Sequence, residues 1–143
     1  MPLLLIVPLL FLLRYLLSFS AANEAQLKGL ETSFSLRIRV FLFLVKHTLG
    51  WEPVVTDGVR TAAEQAALHV ANPKNAAPSA SSPHQAKRAC DLNFYKGSTW
   101  LKKATSRATW EASGIITLAK LCGLRWGGTA FKSYYDPVHF DDL

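Results

Sequence analysis

Residues 81–94 read SSPHQAKRACDLNF, a histidine followed by a strand-like run of alternating side chains. Successive side chains of a strand point to opposite faces, so Cys90, Leu92 and Phe94 share one face and Ala89, Asp91 and Asn93 share the other. Asp91 then falls on the opposite, open face. The pattern predicts a strand that is buried on one side and presents a carboxylate on the other. Its expected core residues are Cys90, Leu92 and Phe94.

A second histidine lies in the last strand-like segment, where residues 136–141 read DPVHFD. If this strand pairs with the first, His139 and Asp91 project from the same face. Together with His84 they predict a zinc site of three protein ligands with one open position, as in zinc hydrolases. Zinc lowers the pKa of a bound water to about 7. Asp136, just before the last ligand, is a candidate base.

A third segment, DGVRT at residues 57–61, precedes a helix. Residues 53–56 (PVVT) predict a short strand before it, and Thr61 with Glu64 forms a capping box that predicts a helix from Ala62 to Ala71. Arg60 therefore sits at a helix N-terminus, which favours an anion. The three segments together point to a zinc-dependent hydrolase.

The rest of the chain predicts two longer helices and two connecting segments. An apolar stripe predicts one helix from about Asn23 to Leu49, ended by Gly50. Residues 72–83 predict a loop and residues 96–103 a polar linker. A helix over residues 104–121 is expected to bury Trp110, Ile115, Leu118 and Leu121 and to end at Gly123.

Composition narrows the class of protein. The 143 residues suit one domain, and 50% hydrophobic with 18% charged residues excludes a disordered chain. The net charge of +6 favours a polyanion, namely nucleic acid, anionic lipid or an anionic cell wall. No Arg/Lys stripe alternates with aromatics, so no nucleic-acid partner is expected. Cys90 and Cys122 are too few for a disulfide framework and are interpreted as small buried residues.

Residues 1–20, MPLLLIVPLLFLLRYLLSFS, are almost wholly apolar. Arg14 and two prolines interrupt the run, which does not suit a membrane span. It resembles the apolar part of a signal peptide, with small residues at 18–22 for cleavage. We expect a hydrophobic signal or signal-anchor segment at residues 1–22, or an upstream stretch from a mis-assigned start. The domain would span residues 23–143, exported or held at the membrane through residues 1–20 and facing the cell wall.

Four short motifs occur in the same order as in a known family, the M15 zinc peptidases that cut peptidoglycan stem peptides. They are GVRTAAEQ (58–65), SPH…DL (82–92), WGG (126–128) and DPVHF (136–140). The resemblance covers about residues 24–142 and is nearest to the phage-type L-alanyl-D-glutamate endopeptidases. Residues 85–88 lack the glycine common in the family, and residues 129–131 lack an expected acidic residue.

The resemblance implies a small α+β fold, an antiparallel sheet flanked by helices, as in hedgehog and DD-peptidase domains. It implies that His84, Asp91 and His139 bind Zn²⁺. Asp136 would deprotonate the metal water and later protonate the leaving amine. Arg60 would hold a substrate carboxylate or the oxyanion. Ser82 and Gln65 would line the substrate site, and Trp126 would pack beneath it or against the substrate.

The substrate expected from the resemblance is the peptidoglycan stem peptide, cut by a monomer at L-Ala–D-Glu. The alternatives are a D-Ala–D-Ala carboxypeptidase and a non-catalytic, metal-containing wall-binding module. A basic, membrane-anchored structural protein is a third alternative. A phage lysis enzyme could also stay cytoplasmic until lysis.

Overall fold

The computed structural model describes residues 13, 17–74, 76–78 and 81–143. Within these residues the sheet is antiparallel, in the order β1-β2-β5-β4, with β3 on the same edge of β2 as β5. The strands are β1 (Glu52–Asp57), β2 (Ala89–Lys96), β3 (Thr99–Leu101), β4 (Arg125–Trp126) and β5 (His139–Asp141).

Helices flank this sheet, as expected for an α+β fold. They are α1 (Ala21–Leu27), α2 (Thr32–Leu44), a π-helical turn (Val45–Leu49), α3 (Ala62–Ala71), α4 (Arg107–Ala112), α5 (Ile115–Leu121) and α6 (Gly127–Ala130). The capping box of α3 is confirmed, because Thr61 Oγ1 accepts from the Glu64 amide while the Glu64 carboxylate accepts from the Thr61 amide. The helix begins and ends at the predicted residues.

The predicted single helix before β1 is two helices. Gly29, with φ +83°, interrupts the chain between α1 and α2, and Glu31 caps α2 by accepting from the Phe34 amide. A left-handed residue cannot continue an α-helix. The apolar stripe is nevertheless buried, and Gly50 ends the segment in the left-handed conformation as predicted.

Two further predictions were wrong in the second half. The polar linker contains β3, which forms a hairpin with β2. The helix over residues 104–121 is divided at Gly114, where φ is +82°. As a result Leu121 is 77% exposed instead of buried. Gly123 ends α5 at φ +73°, as the sequence predicts.

The core lies under one face of the sheet. The apolar residues of β2 are fully buried, which confirms the predicted alternation. Cys90 belongs to this core and Cys122 is half-buried, both as free thiols. Aromatic rings dominate the centre, where the ring of Phe140 lies 5.4 Å from that of Phe41 and 6.3 Å from that of Trp110. The opposite face is free to carry polar groups.

Most of the predicted segment 1–22 lies outside the described residues. Phe19 packs against the core, and Ser20 caps α1 by accepting from the Asn23 amide. The buried Asn23 amide group bonds both Pro53 O (3.0 Å) and Val55 N (2.9 Å), which satisfies the edge of β1. Among the described residues, no helix combines the length and apolar character that a membrane crossing requires.

Candidate metal centre

Three separate segments bring the predicted ligands together. Asp91 on β2 and His139 on β5 lie directly opposite each other in the strand pairing, and His84 comes from the loop before β2. Asp91 Oδ1 lies 3.2 Å from His84 Nε2 and 3.3 Å from His139 Nδ1. The two histidine nitrogens are 3.3 Å apart. These atoms form a cluster that could hold a metal ion.

The ring of His84 is oriented by the loop after β1. Its Nδ1 lies 2.7 Å from the carbonyl oxygen of Gly58. A carbonyl only accepts, so Nδ1 carries the proton and Nε2 keeps a lone pair directed at the cluster. A side chain at position 58 would overlap the carbonyl of Gln26 in α1. Glycine is therefore needed for this loop to approach α1 and support His84.

The ring of His139 is held by Asp141, two residues further along β5. Nε2 of His139 donates to Asp141 Oδ2 at 2.9 Å, which leaves Nδ1 for a proton or a metal. Burial disfavours protonation, but hydrogen bonds to Asp141 and Asp91 outweigh it and raise the pKa of His139 to about 9. The same negative surroundings attract a metal cation.

The cluster fits a zinc ion. Asp91 Oδ1 is buried, and within the described residues it has no hydrogen-bond partner. Burial disfavours its charge, but the neighbouring His139 and His84 hold the pKa of Asp91 well below its usual range. Ligand atoms at about 2.0–2.1 Å from a tetrahedral zinc lie roughly 3.3–3.4 Å apart. The observed separations of 3.2–3.3 Å agree with that spacing.

Asp136 lies at the edge of this cluster, in the turn that leads into β5. Its carbonyl accepts from the His139 amide at 3.2 Å, which ties the turn to the ligand. Its Oδ1 is buried and, in the part of the chain that the structure describes, makes no hydrogen bond. Burial, and then the charge of Asp91, raises the pKa of the Asp136 carboxyl. Lys103 Nζ is 3.9 Å from Oδ1.

Arg60 lies on the other side of Asp91. Its Nε and Nη2 donate to Asp57, and its Nη1 donates to Gln65 Oε1 at 2.7 Å. Its Nη2 is 3.8 Å from Asp91 Oδ2. An irregularity in β1 between Val55 and Asp57 places Asp57 opposite Asp91. The guanidinium thus offsets the repulsion of two carboxylates beside the cluster.

A family model described as D-alanyl-D-alanine carboxypeptidase, of peptidase family M15, matches residues 75–142. This match contains all three metal-cluster residues and Asp136. Over these residues the chain is similar to the M15 peptidases. No curated protein sequence matches it.

Solved structures share the fold of this chain. The Serratia marcescens L-Ala D-Glu endopeptidase ChiX superposes with a TM-score of 0.62 at 23% identity, over 86% of this chain and 87% of ChiX. A mutant of the vancomycin-resistance D,D-pentapeptidase VanY, in complex with Zn(II), gives 0.59 at 16% identity, over 78% and 71%. The LD-carboxypeptidase LdcB gives 0.58 at 18%, over 87% of this chain and 63% of LdcB.

The residues predicted to line the substrate site lie in different places. Gln65 and Ser82 line the cleft but are buried. Gln65 links Arg60 to the carbonyl of Ala77, and Ser82 Oγ accepts from the His84 amide. Trp126 takes the first of its two expected positions, beneath the site, because its side chain is 3% exposed in the core and its Nε1 donates to Pro137 O at 2.8 Å. It supports the turn from beneath and does not face the cleft.

The cleft beside the cluster has a volume of about 710 Å³ and contains side chains that the sequence did not single out. Phe131 stacks on Tyr134 with ring centroids 4.6 Å apart, and Phe131 lies 5.1 Å from the His139 ring. Lys103 contributes an exposed cation. The strand alternation placed Asp141 on the face of His139, but it did not reveal the hydrogen bond between them.

Proposed function

We propose that this protein is an M15-type peptidase and hydrolyses an amide bond of the peptidoglycan stem peptide, with L-Ala–D-Glu as the preferred bond. The observation that carries the proposal is the convergence of three metal-binding atoms at 3.2–3.3 Å beside an unpaired, buried carboxylate oxygen of Asp136. Such a pairing of an open metal site with a poised carboxylate suits metal-assisted hydrolysis.

Each residue then has a role of its own. His84, Asp91 and His139 hold zinc, which polarises the scissile carbonyl and activates water when bound. Asp136 accepts the proton of the attacking water and returns it to the leaving amine, a role suited to a raised pKa. Arg60 presents a guanidinium, already oriented by Asp57, to a substrate carboxylate or to the developing oxyanion.

The bond within the stem peptide has two candidates. The similarity to ChiX, a named L-Ala D-Glu endopeptidase, favours the first. The description of the family model and the similarity to VanY favour a bond to a terminal D-Ala. Products distinguish them, because the endopeptidase releases a peptide that begins with D-Glu, whereas the carboxypeptidase releases free D-Ala.

A non-catalytic wall-binding module remains the main rival from another class. It would need the metal cluster but no buried carboxylate beside it. The unpaired Oδ1 of Asp136 therefore favours an enzyme, since burying a carboxylate without partners costs stability.

The partner and the location belong to the same proposal. The net charge of +6 suits an anionic wall. We propose that the protein acts as a monomer on the wall side of a membrane, with residues 1–20 as signal or anchor. N-terminal sequencing tests export, and an intact Met1 in a cytoplasmic fraction would contradict it.

The decisive experiment compares the full chain with Asp136→Asn on purified peptidoglycan, with zinc or with a chelator, by mass spectrometry of the products. We expect one zinc ion per chain in both proteins and a loss of turnover of about 10²–10⁴-fold in the variant. The matched control is Glu52→Gln. Glu52 lies on β1 and forms a half-exposed ion pair with Lys46, and the variant should keep full activity. Cleavage by Asp136→Asn at the normal rate would refute the role of Asp136. Zinc binding without any product would favour the binding module.

A further inference from the structure

Two aromatic side chains in contact, Tyr95 and Trp100, lie in the β2–β3 hairpin, with their rings tilted against each other. The two residues are directly opposite each other, and their ring centroids are 4.9 Å apart with an interplanar angle of 30°. Trp100 is 45% exposed, whereas Trp110 and Trp126 are buried. One face of its indole is covered by Tyr95. An exposed ring that is backed by a half-buried one points to a binding surface more than a single exposed apolar residue does.

This aromatic pair shares a sheet face with the metal cluster. Side chains alternate along β2, so Asp91 and Tyr95, four residues apart, point to the same side. At about 3.3 Å per residue their Cα atoms are roughly 13 Å apart. His139 lies opposite Asp91 just as Trp100 lies opposite Tyr95. Asn93 lies between them on this face and is half-buried.

The chain after β3 leads from the rings to the cleft. Lys102 and Lys103 follow Leu101, and Lys103 ends 3.9 Å from Asp136 Oδ1 with its side chain 63% exposed. A ligand that reaches from the rings to the cluster would therefore approach the exposed ammonium group of Lys103. That arrangement suits a polymer with a flat, apolar ring face at one end and an anionic peptide at the other.

We propose that Tyr95 and Trp100 form a platform for a pyranose ring of an amino-sugar polymer, next to the cleft that takes the attached peptide. The C–H groups on one face of a pyranose carry slight positive charge and pack against the negative face of an indole. At up to about 3.5 Å per extended residue, the span of roughly 13 Å corresponds to about four residues between the sugar and the cluster. This span suits the second candidate bond, to a terminal D-Ala, because the L-Ala–D-Glu bond leaves only one residue on the sugar side. This assignment rests on the proposed function for its choice of polymer.

The kinetic test uses two substrates, a stem peptide attached to its disaccharide and the same peptide free. For the full chain we expect a KM about tenfold lower for the sugar-linked peptide, the gain typical of one good aromatic contact. Trp100→Ala should raise the KM for the sugar-linked peptide about tenfold. It should leave kcat and the KM for the free peptide unchanged. Leu121→Ala removes another exposed apolar side chain, on α5, and should leave the KM and kcat for both substrates unchanged. Equal effects of Trp100→Ala on both substrates, or none on either, would overturn the platform.

A binding measurement separates this inference from the proposed function, because it needs no catalysis. The zinc-depleted full chain is titrated with a β-1,4-linked N-acetylglucosamine oligomer that carries no peptide, and the indole N–H signals are followed by NMR. We expect the Trp100 signal, assigned through its loss in Trp100→Phe, to shift, while the signals of buried Trp110 and Trp126 do not. An unmoved Trp100 signal at millimolar sugar would refute the platform. If this signal shifts while no peptide is cleaved, the platform stands and the proposed hydrolysis fails.

Discussion

His139 and Asp141, two residues apart on β5, are joined by a hydrogen bond of 2.9 Å from Nε2 to Oδ2. Asp141 is fully buried, and Arg125 donates to both of its carboxylate oxygens, at 2.6 and 2.9 Å. Burial works against ionisation of Asp141, but His139 and Arg125 lower its pKa and keep it charged. A charged partner fixes the ring of His139 with Nδ1 towards the cluster. Asp141 is therefore a positioning residue for the candidate metal ligand.

Replacement of this carboxylate should weaken metal binding without removing a ligand. We expect Asp141→Asn to reduce zinc affinity about 10–100-fold, because the amide carries no charge to make His139 a stronger donor. Competition with a chromogenic chelator measures this. Asp142→Asn is the matched control, since Asp142 is buried and pairs with Arg88 instead of a histidine. The control should lose stability while its zinc affinity stays normal; equal zinc affinities in both variants would contradict the role of Asp141.

The guanidinium of Arg60 should matter for turnover more than for metal binding. A lysine cannot bond Asp57 and Gln65 at once with fixed geometry, as the planar fork of Arg60 does. We expect Arg60→Lys to lower kcat/KM about 10²-fold, as when one oxyanion donor is lost. Zinc stoichiometry should remain unchanged. Arg37→Lys, at a half-exposed arginine near Asp142, is the control. If Arg60→Lys had the same kcat/KM as the wild type, a role of Arg60 in the reaction would be contradicted.

Gly127 should tolerate no side chain. A Cβ there would overlap the carbonyl oxygen of Asp136 and lie 2.9 Å from His139 Cβ. Gly127→Ala should therefore cost about 1–3 kcal/mol of stability through overpacking and displace the turn that carries Asp136. Thermal unfolding and kcat measure the two effects. Gly97→Ala, at a turn with φ +59° and no neighbour within 4 Å, should cost about 1–2 kcal/mol and leave kcat intact. A fully active Gly127→Ala would show that the turn can shift without loss.

Glu31 should make stability depend on acid pH. Hydrogen bonds from Ser33 and the Phe34 amide lower the pKa of Glu31 from 4.5 to about 2. A folded pKa below the unfolded one stabilises the fold above pH 4.5, and this contribution is lost as the pH falls from 4.5 to about 2. The Tm of the wild type should therefore be higher than that of Glu31→Gln at pH 6, and the two Tm values should be equal near pH 2. Ser33→Ala should show a smaller difference of the same sign, and a difference independent of pH would contradict the linkage.

The local parts of the fold were predictable from neighbouring residues. The alternation of β2, the capping box of α3 and the left-handed ends at Gly50 and Gly123 depend on residues close in sequence. The breaks at Gly29 and Gly114 were missed because a glycine inside an apolar stripe does not by itself reveal a positive φ. The strand β3 was missed because three residues beside a polar turn carry too little periodicity to distinguish a strand from a loop.

The sequence by itself determined which chemical groups are available: two histidines, the carboxylates of Asp91 and Asp136, and a guanidinium before a capped helix. It also determined the faces on which strand residues lie, since that follows from a period of two. Only the tertiary structure decided which nitrogen of each histidine faces the cluster. The partners that orient these histidines lie at different distances along the chain. Gly58 is 26 residues from His84, whereas Asp141 is two residues from His139. The tertiary structure also decided that Trp126 lies beneath the site. Its indole N–H donates to the carbonyl of Pro137, and this carbonyl comes into reach only when the turn before β5 packs over the indole.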